Sequence, residues 1–165
     1  MSGSPVPVAV APRGYCDRGR LASVGVGFDD SPESHLAVNW AAELASRCGV
    51  GLQLIAVHTP LALGGAVGTG ALATESVEQA LGQELQAKGE TAIGALPSDL
   101  SVEFRFLKGG PSKVLVDLSR RLDLLVLGSR GYGPMKSVLL GSVSSYLVRN
   151  AHCPLLIVPR DGNDD

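Results

Sequence analysis

The residues of this 165-residue chain best suited to chemistry lie in the stretch GSRGYGPMKSVLLGS, which begins at Gly128. Gly128 and Gly131 are followed, after nine intervening residues, by the pair Gly141-Ser142. Glycine lets a ligand approach bare backbone, or lets φ become positive. If a helix starts at this pair, the amides of Gly141, Ser142 and Val143 would meet an anion, helped by the helix dipole. The spacing indicates a phosphate cradle, with simple loop closure as the alternative.

A second group of polar residues, in the sequence VGFDDS, follows an apolar segment near the start of the chain. Asp29 could accept hydrogen bonds from the hydroxyl groups of a sugar, as acidic residues do in other nucleotide-binding folds. It could equally be a turn residue that caps the following helix. A phosphate cradle and a diol acceptor together describe a nucleotide.

Other site motifs are absent from the sequence. No GxxxxGK[ST] or GxSxG pattern occurs, and GVGFDD lacks the third glycine of GxGxxG. The histidines His35, His58 and His152 share no metal-ligand spacing. We find no evident general base beside an attacking water, so the sequence favours binding over designed hydrolysis.

Composition limits the class of partner. Apolar residues make up 45% of the chain and charged residues 18%, which suits one domain with one core. The net charge of −2 argues against nucleic acid as a partner. Three widely spaced cysteines favour a reducing compartment. No convincing signal peptide or membrane-spanning run is present, so we predict a cytoplasmic protein without membrane contact.

Apolar segments with strand character alternate with helical ones along the chain. This order predicts an α/β fold, a single doubly wound domain with a five-stranded, mostly parallel sheet between helix layers. We expect Trp40 and Tyr146 to face the core, and Gly82 and Gly89 to interrupt the second helix. In such a sheet, ligands bind outside the carboxyl ends of strands where the winding direction reverses.

Segments at the two ends and in the middle carry little patterned apolar sequence. We predict a flexible leader over residues 1–19, a domain over 20–160 and a flexible tail over 161–165. The glycine-dense segment Gly64–Gly70 is predicted to be a mobile loop.

In these motifs the chain resembles the universal stress proteins, whose nucleotide-binding members carry Gly-x-x-Gly, nine residues, and then Gly-Ser or Gly-Thr. Gly128, Gly131, Gly141 and Ser142 match that spacing without a gap. The segment VGFDDSPESHLAVNWA is similar to the family's VGxDGSPxSxxAxxWA, and SVSSYLVRNAHCPLLIVP is similar to its ending. The resemblance extends over about residues 20–160 and fails in the variable stretch 60–100.

The resemblance implies a site for ATP or another adenine nucleotide, with or without Mg²⁺. Asp29 would then hold the ribose, and the backbone of Val57 would contact the adenine, with Thr59 as another register. Gly27 is a further implied site residue, and Gly128, Arg130 and Gly131 would line the phosphates and ribose. Four residues would hold phosphate: Gly141, Ser142, Val143 and Ser144. Asp30 stands where the family usually has glycine, which would place a second carboxylate near a polyphosphate.

The resemblance also implies a stress sensor or adaptor rather than a committed enzyme. It implies a homodimer in which residues 155–158 pair across a twofold axis, and a short apolar edge strand invites such pairing. Two alternatives remain open: a slow ATP hydrolase, and a nucleotide-free dimeric interaction module.

Overall fold

The structure is a computed structural model that describes residues 7–12, 21–60, 71–129 and 140–159, without the side chains of 71–75. These ranges form six strands and four helices. The strands are β1 (Val8–Val10), β2 (Ser23–Phe28), β3 (Gly51–His58), β4 (Val102–Lys108), β5 (Leu124–Gly128) and β6 (Leu155–Val158). The helices are α1 (Pro32–Cys48), α2 (Ala71–Gly94), α3 (Pro111–Ser119) and α4 (Ser142–Asn150).

All six strands form one sheet in the order β1-β6-β5-β2-β3-β4, and every pair is parallel except β1 with β6. The predicted doubly wound α/β domain is confirmed. The predicted count of five strands was wrong, because Val8–Val10, within the predicted leader, forms a sixth strand that pairs with β6. From β2 the chain winds through β3 to β4 and then returns to β5 on the other side, so the winding reverses between β2 and β5.

Helices cover both faces of the sheet and create two apolar layers. One layer packs α1 and α2 against side chains such as Val26 and Leu54. The other packs α3 and α4 against side chains such as Ile55 and Leu127. Neighbouring residues of β3 therefore serve opposite layers, which explains why its central segment is apolar without alternation. None of the helices in the described ranges is long and apolar enough to cross a membrane.

The start and end of α1 follow the local sequence, but its buried face does not include the tryptophan. Ser31 caps the helix by accepting a hydrogen bond from the Ser34 amide, and Gly49 ends it with a φ of 65°. Trp40 is 39% exposed and Tyr146 on α4 is 43% exposed, so placing them in the core was wrong. The residues of α1 that pack against the sheet are small: Ala37, Val38, Ala41, Ala42 and Ala45.

The two glycines of α2 do not interrupt it, since the helix runs unbroken for 24 residues. A Cβ at Gly89 would lie 2.5 Å from Cζ of Phe104, whereas one at Gly82 would lie 3.6 Å from Cζ of Phe106. Gly89 therefore lets the helix approach an aromatic ring of β4. Close packing compensates for the low helix propensity of glycine.

We expect Gly82→Ala to raise the free energy of unfolding by up to about 1 kcal/mol, because alanine favours the helix and its methyl group meets only ordinary contacts. Gly89→Ala should not raise the free energy of unfolding, because its methyl group would clash with the Phe104 ring. Urea unfolding of the two variants measures the difference. Equal stabilisation by both substitutions would contradict the packing role of Gly89.

Candidate functional site

The carboxyl ends of β2 and β5 meet at one edge of the sheet. The two strands are parallel neighbours, with Val24 beside Leu124 and Val26 beside Val126. The loop after β2 begins with Asp29, and Ser129 follows β5 directly. The winding of the chain reverses between these two strands, which is where a doubly wound sheet is expected to bind a ligand.

The N-terminus of α4 is attached to this edge by two hydrogen bonds. The Gly141 amide donates to the carbonyl oxygen of Ser129 at 2.6 Å, and Ser144 Oγ donates to the carbonyl oxygen of Gly128 at 2.9 Å. Of the four residues expected to hold phosphate, Gly141 and Ser144 therefore each use one hydrogen-bond donor within the chain. Ser142 is exposed, and Gly141 supplies no side-chain cap. Among the described residues, the amides of Ser142 and Val143 have no hydrogen-bond partner.

Asp29 is an exposed residue with a part in the turn that leads into α1. Its Oδ1 accepts hydrogen bonds from the amide of Ser31 at 3.1 Å and from Ser31 Oγ at 2.5 Å. The capping role left open by the sequence is therefore present. Its Oδ2 has no hydrogen-bond partner in the described part of the chain, so this oxygen remains able to accept from a hydroxyl group.

Asp30, the residue at the family's glycine position, has a φ of 63°. Its carboxylate does not stand alone: Oδ2 lies 2.8 Å from Nζ of Lys88, and Oδ1 accepts from Nε2 of His35 at 3.0 Å. The Lys88 hydrogen bond and, to a lesser degree, His35 hold the pKa of Asp30 below its ordinary value, against an opposing effect of burial. The second carboxylate that the sequence placed near a polyphosphate is thus paired with a cation.

Sequence reasoning missed both partners of Asp30. His35 lies one turn into α1, where its ring meets Phe28 edge-on at 5.2 Å between centroids. Lys88 belongs to α2 and also contacts Glu84 at 2.9 Å. The i,i+4 spacing of Glu84 and Lys88 is a visible sequence signal, but it predicts only a pair within the helix.

Lys88→Met should raise the pKa of the Asp30 carboxyl group, because the cation that favours the ionised form is removed. A lowered folded-state pKa stabilises the fold above the unfolded-state pKa, and this contribution disappears as the pH falls through the folded-state value. The variant should therefore be less stable than the parent near neutral pH and equal to it in strong acid. NMR titration of the Asp30 carboxyl and thermal unfolding across pH measure both effects. Lys113→Met, on exposed α3 surface, is the control, and an unchanged Asp30 pKa in Lys88→Met would contradict the assignment.

Two of the predicted site glycines are explained by packing within the chain. A Cβ at Gly128 would lie 2.8 Å from the backbone carbon and oxygen of Glu33 in α1. A Cβ at Gly27 would lie 2.9 Å from Cδ2 of Leu127, inside the second apolar layer. Glycine at these two positions lets β5 approach the first turn of α1 and lets neighbouring strands pack.

The remaining predicted residues lie either at the end of β3 or outside the residues that the structure describes. Val57 is half-buried and sits one residue past the last β2–β3 pair, Phe28 with Ala56. Thr59, the other register, is exposed just after β3. Arg130 and Gly131 lie outside the described residues, as does the segment Gly64–Gly70.

His58 is a second histidine near the carboxyl ends of the strands, at the end of β3. Its Nε2 is buried without a hydrogen-bond partner in the described ranges, and lies 3.9 Å from Oε1 of Glu78. Its ring stacks on Phe106 with centroids 6.3 Å apart. The described residues contain no cluster of three or more His, Cys, Asp or Glu able to hold a metal ion.

Comparison with known proteins adds an independent line of observation. The model of the universal stress protein family matches residues 22–159. A universal stress protein of Mycobacterium tuberculosis is 33% identical over 156 residues, and the match covers 82% of this chain and 47% of that protein. The chain thus spans about half the length of the curated relatives it matches.

Two solved structures share the fold. A universal stress protein crystallised in complex with cAMP has a TM-score of 0.57 and 26% identity, covering 86% of this chain and 98% of that one. The Archaeoglobus fulgidus universal stress protein in complex with dAMP also has a TM-score of 0.57, at 20% identity, covering 83% and 97%. At 20% identity, the likeness to the Archaeoglobus fulgidus protein shows only a shared fold.

Proposed function

This chain belongs to the universal stress protein family, and we propose that it binds ATP or another adenine nucleotide where β2 and β5 end. The observation that carries the proposal is the placement of an uncapped helix N-terminus and an aspartate at one sheet edge, where the winding reverses. A structural neighbour in complex with cAMP supports the choice of an adenine nucleotide.

Each part of the nucleotide has a chemically suitable partner. The amides of Ser142 and Val143, with the Ser142 hydroxyl and the helix dipole, would receive phosphate oxygens. Oδ2 of Asp29 would accept a hydrogen bond from a ribose hydroxyl. The backbone of Val57 would meet the adenine at the end of β3. The predicted phosphate contacts of Arg130 and Gly131 belong to the same proposal, with Mg²⁺ as an accompanying ion for the triphosphate.

The proposed role is that of a cytoplasmic stress sensor or adaptor, whose occupancy follows the nucleotide concentration. Slow hydrolysis is the competing role. Steady phosphate release from ATP that stops in a Ser142 variant would favour a hydrolase. Binding without release would favour the sensor.

Calorimetric titration of ATP, AMP and cAMP into the parent chain and two matched variants tests the proposal. Asp29→Asn keeps a side-chain oxygen for the turn but removes the charge, whereas Asp99→Asn makes the same change at an exposed position after α2. We expect Asp29→Asn alone to weaken binding. A folded parent that binds none of the three nucleotides, or equal affinities in both variants, would overturn the site.

We also propose a homodimer formed through residues 155–158. In the described structure β1 of the same chain lies along that edge of β6. A dimer of this kind therefore requires β1 to leave that edge, because β1 and a second β6 would pair with the same backbone groups.

A further inference from the structure

We propose that β1 blocks the free edge of β6, and that a second copy of the chain pairs with β6 only when β1 leaves. This inference rests on the proposed homodimer, not on nucleotide binding. Val8 lies beside Ile157, Ala9 beside Leu156, and Val10 beside Leu155, in antiparallel register. An edge strand offers one row of unpaired backbone groups and can accept one partner strand at a time. β1 and a second copy are therefore competitors.

β1 is held mainly through its backbone. Val8 is 58% exposed, Ala9 is exposed, and Val10 is only half-buried. Pro7 and Pro12 flank the strand and cannot donate to a ladder, which limits its length to three residues. Loss of so short a strand would remove little apolar contact.

β6 is held in a different way, because its side chains belong to the core. Leu155, Ile157 and Val158 are each 5% exposed or less and pack against the two helix layers. β5 pairs with the opposite edge of β6, from Leu125 beside Leu155 onward. The departure of β1 would leave β6 in place with an open edge.

A second β6 fits that edge in strand direction and in length. β1 shows that the edge accepts an antiparallel strand, and two copies of β6 related by a twofold axis are antiparallel by symmetry. β6 is a run of four apolar residues, Leu155–Val158, one longer than β1. A second copy can thus replace every backbone contact that β1 provides.

Sedimentation of the full chain and of a chain lacking residues 1–12 tests the inference. We expect the truncated chain to dimerise at concentrations at least tenfold lower than the full chain. Val8→Asp/Val10→Asp in the full chain should have the same effect without truncation, because two charges disfavour the docked strand. Leu156→Lys in the truncated chain should restore the monomer, because it places like charges on paired edges.

Leu156 is a better control position than Ile157, because Ile157 is 5% exposed and its substitution would disturb the core. The same association state in the parent and in the variants, whether monomer or dimer, would overturn the inference. If the truncated chain fails to fold, the double aspartate variant decides. Nucleotide titration of the same samples separates the two proposals, because a shift in association without nucleotide binding contradicts only the binding site.

Discussion

Gly128→Ala is expected to lower the free energy of unfolding by about 1–3 kcal/mol, as overpacking against rigid neighbours does. The new methyl group would lie 2.8 Å from the backbone carbon, the backbone oxygen and Cβ of Glu33. Neither side can yield by rotating a flexible side chain, since the contact joins the end of β5 to the first turn of α1. The strand end and the helix must move apart, and the site edge moves with them.

Gly94→Ala is the matched control for this substitution. Gly94 is the last residue of α2, and a Cβ there meets no heavy atom within 4 Å. Its substitution should leave stability unchanged or raise it slightly, through helix propensity. Urea unfolding of both variants, with nucleotide titration of the folded fraction, gives the comparison. A Gly128→Ala protein as stable as Gly94→Ala would show that the approach of β5 to α1 does not need glycine.

Ser142→Pro is expected to weaken nucleotide binding far more than Ser142→Ala, while leaving α4 intact. Alanine removes only the hydroxyl donor, and one hydrogen bond to a charged oxygen contributes about 1.5–3 kcal/mol, or about ten- to hundredfold in affinity. Proline removes the amide donor as well, so a second factor of similar size should be lost. Calorimetry with ATP and AMP measures both losses.

The chain itself shows that proline is tolerated at such a helix start. α3 begins with Pro111 after Gly110, whose φ and ψ are −77° and 119°. Gly141 before Ser142 has φ and ψ of −67° and 169°, an extended conformation compatible with a following proline. Circular dichroism checks that α4 survives. A folded Ser142→Pro protein with the affinity of Ser142→Ala would mean that the Ser142 amide does not hold phosphate.

Local sequence patterns predicted the order of elements from β2 onward. The Ser31-Pro32 start and Gly49 end of α1 are signals that the sequence carries, because caps depend on residues within a few positions of one another. The continuous apolar run of β5 is typical of a central parallel strand, because helices cover such a strand on both faces. The sequence left the strand order of the sheet open, and only the structure shows that β2 and β5 are neighbours with the winding reversing between them.

Contacts between distant segments were decided only by the tertiary structure. Nothing local to Asp30 indicates that Lys88 of α2 will neutralise it, and nothing local to Gly128 indicates that Glu33 will fill the space beside it. Trp40 satisfied the helical periodicity of a buried face, yet the small residues of α1 took the sheet contact. The sheet edge shows the same division: β6 was identifiable as an apolar strand, but its partner β1 was not. A strand as short as β1 forms only because the unpaired backbone of β6 accepts its hydrogen bonds. β6 lies about 150 residues later in the sequence, so no local pattern predicts the pairing.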